Sequence, residues 1–164
     1  MPNSQRRRGS VLFRLVTLTF LSVGLIAAAG ASAVALSPAE RAFSSAYEKL
    51  VPTLNRASAA LVGAVNGSGH DTDAQIVTIF TGVARQWASA TRPLLALRAP
   101  APEAPIFAVV SRYARAVKAD LLAVAQSGRT HSVPAAKAGG TRLALDFNAL
   151  AREVKLLKAE LGLH

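Results

Sequence analysis

The chain has 164 residues, with 19 Lys or Arg against nine Asp or Glu, a net charge of +10, and no cysteine. Lack of cysteine excludes disulfides, thiolate nucleophiles, iron–sulfur clusters and a lipid anchor of the bacterial lipoprotein kind. The single methionine is Met1, so methionine ligation of a haem is excluded as well.

The first 33 residues have the layout of a secretory signal peptide. Arg6, Arg7, Arg8 and Arg14 make a basic head, Leu15 to Ala29 is apolar, and Ala29-Gly30-Ala31 and Ala31-Ser32-Ala33 are small-x-small cleavage sites. The paired arginines invite a twin-arginine reading, which the residues after Arg8 do not complete. Without cleavage, Leu15 to Leu36 is long enough to act as a single N-terminal membrane anchor, with the arginines holding its start in the cytoplasm. Both readings put residues 38 onward, nearly all of the domain 34–164, outside the cytoplasm, secreted or associated with the envelope. That part holds fifteen basic and nine acidic residues, a net charge of +6. Its size suits one domain.

Spacing predicts four helices. Phe43, Tyr47, Leu50, Leu54, Ala57 and Leu61 alternate steps of three and four, which places them on one helical stripe. Ile76, Phe80, Val83, Trp87, Ala90, Leu94 and Leu97 form a second seam. A weaker third runs Ile106, Val110, Tyr113, Val117, Leu121 and Val124, and a fourth runs Leu143, Phe147, Leu150, Val154, Leu157 and Leu161. No stretch alternates with the period of a strand. Four narrow stripes need one shared core, and the connectors between them are short. The expected fold is therefore all-α, an antiparallel up-down-up-down four-helix bundle with helices about 38 Å long.

The punctuation agrees with the seams. Ser37-Pro38-Ala39-Glu40 and Thr72-Asp73-Ala74-Gln75 are capping boxes. Asn66-Gly67-Ser68-Gly69 stops the first helix, and Arg98 to Ala104 is a proline-stiffened connector. Gly128 is expected to close the third helix, and Ser132-Val133-Pro134 to open the fourth. Pro52 and Pro93 fall inside helices and should kink them, each costing one backbone bond. Gly139-Gly140 interrupts the fourth helix. Either Gly140, on the seam, admits a neighbouring backbone, or that helix starts near Thr141. Asn66-Gly67-Ser68 is a formal glycosylation sequon, relevant only in a eukaryotic secretory route; the composition looks bacterial.

Little in the chain points to catalysis. His70, His131 and His164 have no helical His partner. In an up-down bundle His70 and His131 share one end with Asp71 and Asp73. That is a conceivable Zn or Cu site, but helix capping already accounts for both carboxylates. No seam carries His, Met or Cys for a haem, with only Tyr47 and Tyr113 as weak substitutes, and no Glu-x-x-His serves a di-iron centre. No G-x-S-x-G is present. Glu40, Glu48, Asp120, Asp146, Glu153 and Glu160 lie off the seams and are expected to face solvent, where nothing raises a general acid's pKa. The chain reads as no enzyme, with no cofactor and no metal.

Two features invite binding instead. Arg112, Arg115 and Lys118 recur every third residue on the third helix, and Arg85 and Arg92 lie one heptad apart on the second. Together they form a candidate face for an anionic partner: an envelope polymer, phospholipid head groups or another envelope protein. The plain alternative is a solvated face whose long side chains cover apolar edges. No basic cluster interleaves with aromatics, so nucleic acid is not an expected partner. Trp87 reads as core filler, or else with Pro93 as the wall of a cavity holding a small apolar ligand between kinked helices. The stretch WASATRPLLALRAPAPEAPIFAVVSRYARAVKADL and the closing AREVKLLKAELGL resemble small exported, lipoprotein-like helical proteins of actinobacteria. That resemblance implies an exported helical domain and assigns no site residues.

Overall fold

The computed structural model describes residues 36–163. Residues 1–33, with the signal-peptide reading, lie outside them. Among the described residues there are four α-helices and no strand: α1 (Pro38–Gly67), α2 (Asp73–Leu95), α3 (Ala104–Arg129) and α4 (Val133–Glu160), with a single 3₁₀ turn at Ser68–His70. No described helix is long and apolar enough to cross a membrane.

Local chemistry sets the helix boundaries. Ser37 Oγ accepts from the Glu40 amide while the Glu40 carboxylate accepts from the Ser37 amide, so two orphan donors at the start of α1 are satisfied reciprocally. These bonds hold the Glu40 carboxyl below its ordinary pKa. Thr72 and Gln75 make the same box at the start of α2. Ser132 caps α4 through the Ala135 amide. Helix α3 has no side-chain cap and begins on a proline turn.

The third helix ends differently from the sequence expectation. Gly128 lies within α3, and His131 takes the left-handed position at φ 51°. The Ser132 amide donates to Ser127 O and the His131 amide to Gly128 O, a Schellman closure with histidine where glycine is usual. Gly128 is required for another reason. A Cβ there would sit 2.9 Å from the Asp73 carbonyl oxygen and 3.0 Å from Val77 Cγ2, so the start of α2 packs directly on its backbone. At the C-terminus, Gly162 (φ 67°) closes α4 in the same Schellman manner.

Helix α4 runs unbroken from Val133 through Gly139-Gly140, which settles the alternative start near Thr141. The glycine admitting a neighbour is Gly139, one residue off the seam, where a Cβ would meet Val124 Cγ2 at 3.2 Å. Helices α1 and α2 also continue through Pro52 and Pro93. Both rings are exposed, so water reaches the carbonyls they leave unpaired.

The closest backbone approaches join α1 with α2, α2 with α3, and α3 with α4. The four predicted seams supply most of one continuous core. Phe43 of α1 meets Phe107 of α3 edge-on, with ring centroids 5.2 Å apart. Trp87 of α2 meets Phe147 of α4 at 6.1 Å. The seam that looked weakest belongs to the most enclosed helix. Besides Val110, Val117, Leu121 and Val124, α3 buries Phe107, Ser111, Ala114, Asp120, Ala125, Ser127 and Gly128. It is packed from two sides, by α2 and α4, so its buried face is wider than a single stripe.

Two glycines test this packing. Gly128→Ala should destabilise by about 1–3 kcal/mol, because its methyl meets backbone that cannot rotate away. Gly82→Ala, at an exposed position of α2 with nothing within 4 Å of the added carbon, should stabilise by about 0.5–1 kcal/mol through helix propensity. Urea denaturation of both variants measures the difference.

Candidate functional site: a basic groove between α2 and α3

The site is built around Trp87. Its side chain is 2% exposed, and its indole Nε1 donates to the Ala114 carbonyl of α3 at 2.8 Å. One turn on, Thr91 Oγ1 donates back to the Trp87 carbonyl at 2.8 Å. The first of these bonds crosses from α2 to α3 and sets their separation where small residues face each other, while the second lies within α2. On the outer side of that contact lies a groove of about 440 Å³, lined by Ala88, Thr91, Leu95, Ala96 and Ala114 with Arg92, Arg115 and Lys118.

The three charged residues belong to the basic face expected from the sequence, and the groove brings them together. All three are exposed, and none forms an ion pair with a described residue. Arg92 stands in the last turn of α2, where a cation also suits the negative end of the helix dipole. Arg85 is exposed two turns earlier on α2, outside the groove. Arg112 is exposed too, and its guanidinium lies 4.9 Å from the centroid of the neighbouring Tyr113 ring. Trp87 and Pro93 are not among the lining residues. Trp87 supports the groove from the core side, and Pro93 is exposed between two residues that do line it, Arg92 and Leu94's neighbour Leu95.

The histidines take separate roles. His131 Nδ1 lies 2.6 Å from Asp73 Oδ2, tying the end of α3 to the start of α2. Both side chains are more than half exposed, so the pair contributes little to stability. His70 is exposed in the 3₁₀ turn. No group of three or more His, Cys, Asp or Glu among the described residues is arranged to hold a metal ion.

One acid contradicts the expectation that all six off-seam carboxylates face solvent. Asp120 is only 8% exposed. The wide buried face of α3 carries it into the α3–α4 interface, where it lies beside Asp146, with Arg142 nearby. Burial first, then Asp146, raises its pKa from 3.8 to about 6. Asp120 Oδ2 is buried without a hydrogen-bond partner. Glu103, in the α2–α3 connector, is 2% exposed with an unpartnered Oε2. Seam analysis could not find it, because it lies outside every helical stripe. Burial also raises the pKa of Tyr47 in the core.

Asp120 binds a proton more tightly folded than unfolded, so its protonation favours folding. That stability is complete below about pH 3.8 and is lost as pH rises through about 6. Asp120→Asn should therefore stabilise the protein at pH 7.5 by about 1–2 kcal/mol, with little gain at pH 4.5. Urea unfolding at both pH values checks this; equal destabilisation at both would contradict it. No protein-family model matches the chain, nor does any curated protein or solved structure.

Proposed function

We propose that the protein is an exported, non-enzymatic helical module of the cell envelope that binds an anionic surface through the basic face of α2 and α3. In this reading residues 1–33 direct export, either cleaved as a signal peptide or kept as an anchor. The described helices form an up-down-up-down bundle. Its antiparallel sense is supported by Gly128 against Asp73 and Val77, and by Gly139 against Val124.

The observation that carries the proposal is the convergence of Arg92, Arg115 and Lys118 on one groove, with no acidic partner among the described residues. A cation kept unpaired on a protein surface attracts external anions, and three of them side by side reinforce one another's field. Arg85 and Arg112 extend the charge along the two helices. The alternative of an apolar ligand buried between helices near Trp87 gains no support, since that side chain packs on Phe147 and bonds Ala114.

Binding to vesicles containing phosphatidylglycerol tests the proposal, with phosphatidylcholine vesicles reporting any contribution from the apolar N-terminus. The anionic vesicles should be preferred at low salt. At about 1 M salt, where charges are screened beyond about 3 Å, the preference should vanish. Replacing all five basic residues by glutamine should reduce the low-salt preference at least tenfold. A preference indifferent to salt or to those replacements would overturn the proposal.

A further inference from the structure

We infer that the α2–α3 groove is a discrete site for one anionic phospholipid head group, with the phosphate at the rim and the adjoining apolar segment on the floor. This rests on the proposed anionic-surface reading and narrows it from a charged face to a single stoichiometric site.

The division of the groove carries the inference. Its donors stand at the rim, on Arg92, Arg115 and Lys118. The floor, its buried and half-buried lining, is methyl and isobutyl surface from Ala88, Ala114 and Leu95, with Ala96 at the exposed edge. Its one hydroxyl, Thr91, has already given its proton to the Trp87 carbonyl. An anion is therefore recognised only at the rim, and whatever continues below it touches apolar groups. A free phosphate would satisfy the rim and leave the floor covered by water. A long polyanion would satisfy the rim and place further charge over apolar surface. A phosphodiester head group joined to the start of its acyl chains matches both parts.

Size and rigidity agree. About 440 Å³ lies in the range of small-molecule sites. The floor does not have to form on binding, because the Trp87–Ala114 bond holds its two walls, α2 and α3, against each other. Rim arginines offer planar, multidentate donors to phosphate oxygens, and lysine adds a point charge.

A water-soluble lipid separates this site from adsorption to a surface. Dihexanoyl phosphatidylglycerol, kept below its micelle concentration, is titrated calorimetrically into the protein as its host makes it. One saturable site is expected, with dihexanoyl phosphatidylcholine and glycerol 3-phosphate each binding at least tenfold more weakly. Arg115→Gln combined with Lys118→Gln should weaken the phosphatidylglycerol site at least tenfold; both side chains are exposed, so folding is not at stake. Ala96→Trp, which puts a large ring at the exposed edge of the groove and leaves the charge alone, should weaken it similarly. Absence of a saturable site overturns the inference. So does equal binding of phosphatidylcholine or glycerol 3-phosphate, or indifference to either variant. Salt-dependent vesicle binding that persists without a monomeric-lipid site would sink this inference and leave the surface reading standing. Loss of vesicle binding as well would remove both.

Discussion

The hydrogen bond from the Trp87 indole to the Ala114 carbonyl is the constraint on which the rest of the structure depends. A buried indole N–H without a partner would cost about 1–3 kcal/mol. Here it finds its acceptor across the helix boundary, and the ring's other contact, with Phe147, reaches into α4. One side chain thus gauges α2 against α3 and α2 against α4. The largest apolar side chain of the chain is also its main directional link.

That gauge has two consequences on opposite sides of α3. Toward α2, it holds small residues face to face and leaves an outer groove rimmed by cations. Toward α4, close packing at Gly139 against Val124 draws the helices together until Asp120 is enclosed with Asp146. The same centrality of α3 therefore explains both an open basic surface and a buried acidic pair. The acidic pair is the costlier of the two, because at neutral pH one carboxylate loses water and gains no full counter-charge.

Much of this fold was legible in the spacing of apolar residues. The seams named every helix, and the two capping boxes fixed the starts of α1 and α2. The seam method missed the breadth of the α3 interface. A stripe of six residues describes a helix packed from one side, and it assigned Asp120 to solvent. The glycines show the same limit. Gly128 and Gly139 look like punctuation in the sequence, but another helix packs on each, at Gly128 too closely for a Cβ and at Gly139 so closely that Val124 would have to give way. Of the five basic residues singled out in the sequence, three line the groove and Arg85 and Arg112 do not. That Arg92, Arg115 and Lys118 share a groove depends on the helix separation set by Trp87, which no residue spacing encodes. Glu103 was invisible because burial of a connector is a tertiary fact.

The exchange rate of the Trp87 indole proton with solvent deuterium, read by NMR, tests the central claim most directly. If this bond sets the spacing of α2, α3 and α4, the proton exchanges only when the whole domain unfolds. Its protection should then match that of the slowest backbone amides. Exchange within minutes, while the α3 amides stay protected, would mean that the indole opens to water locally. In that case the groove, the core and the enclosed acid pair would owe their geometry to something else.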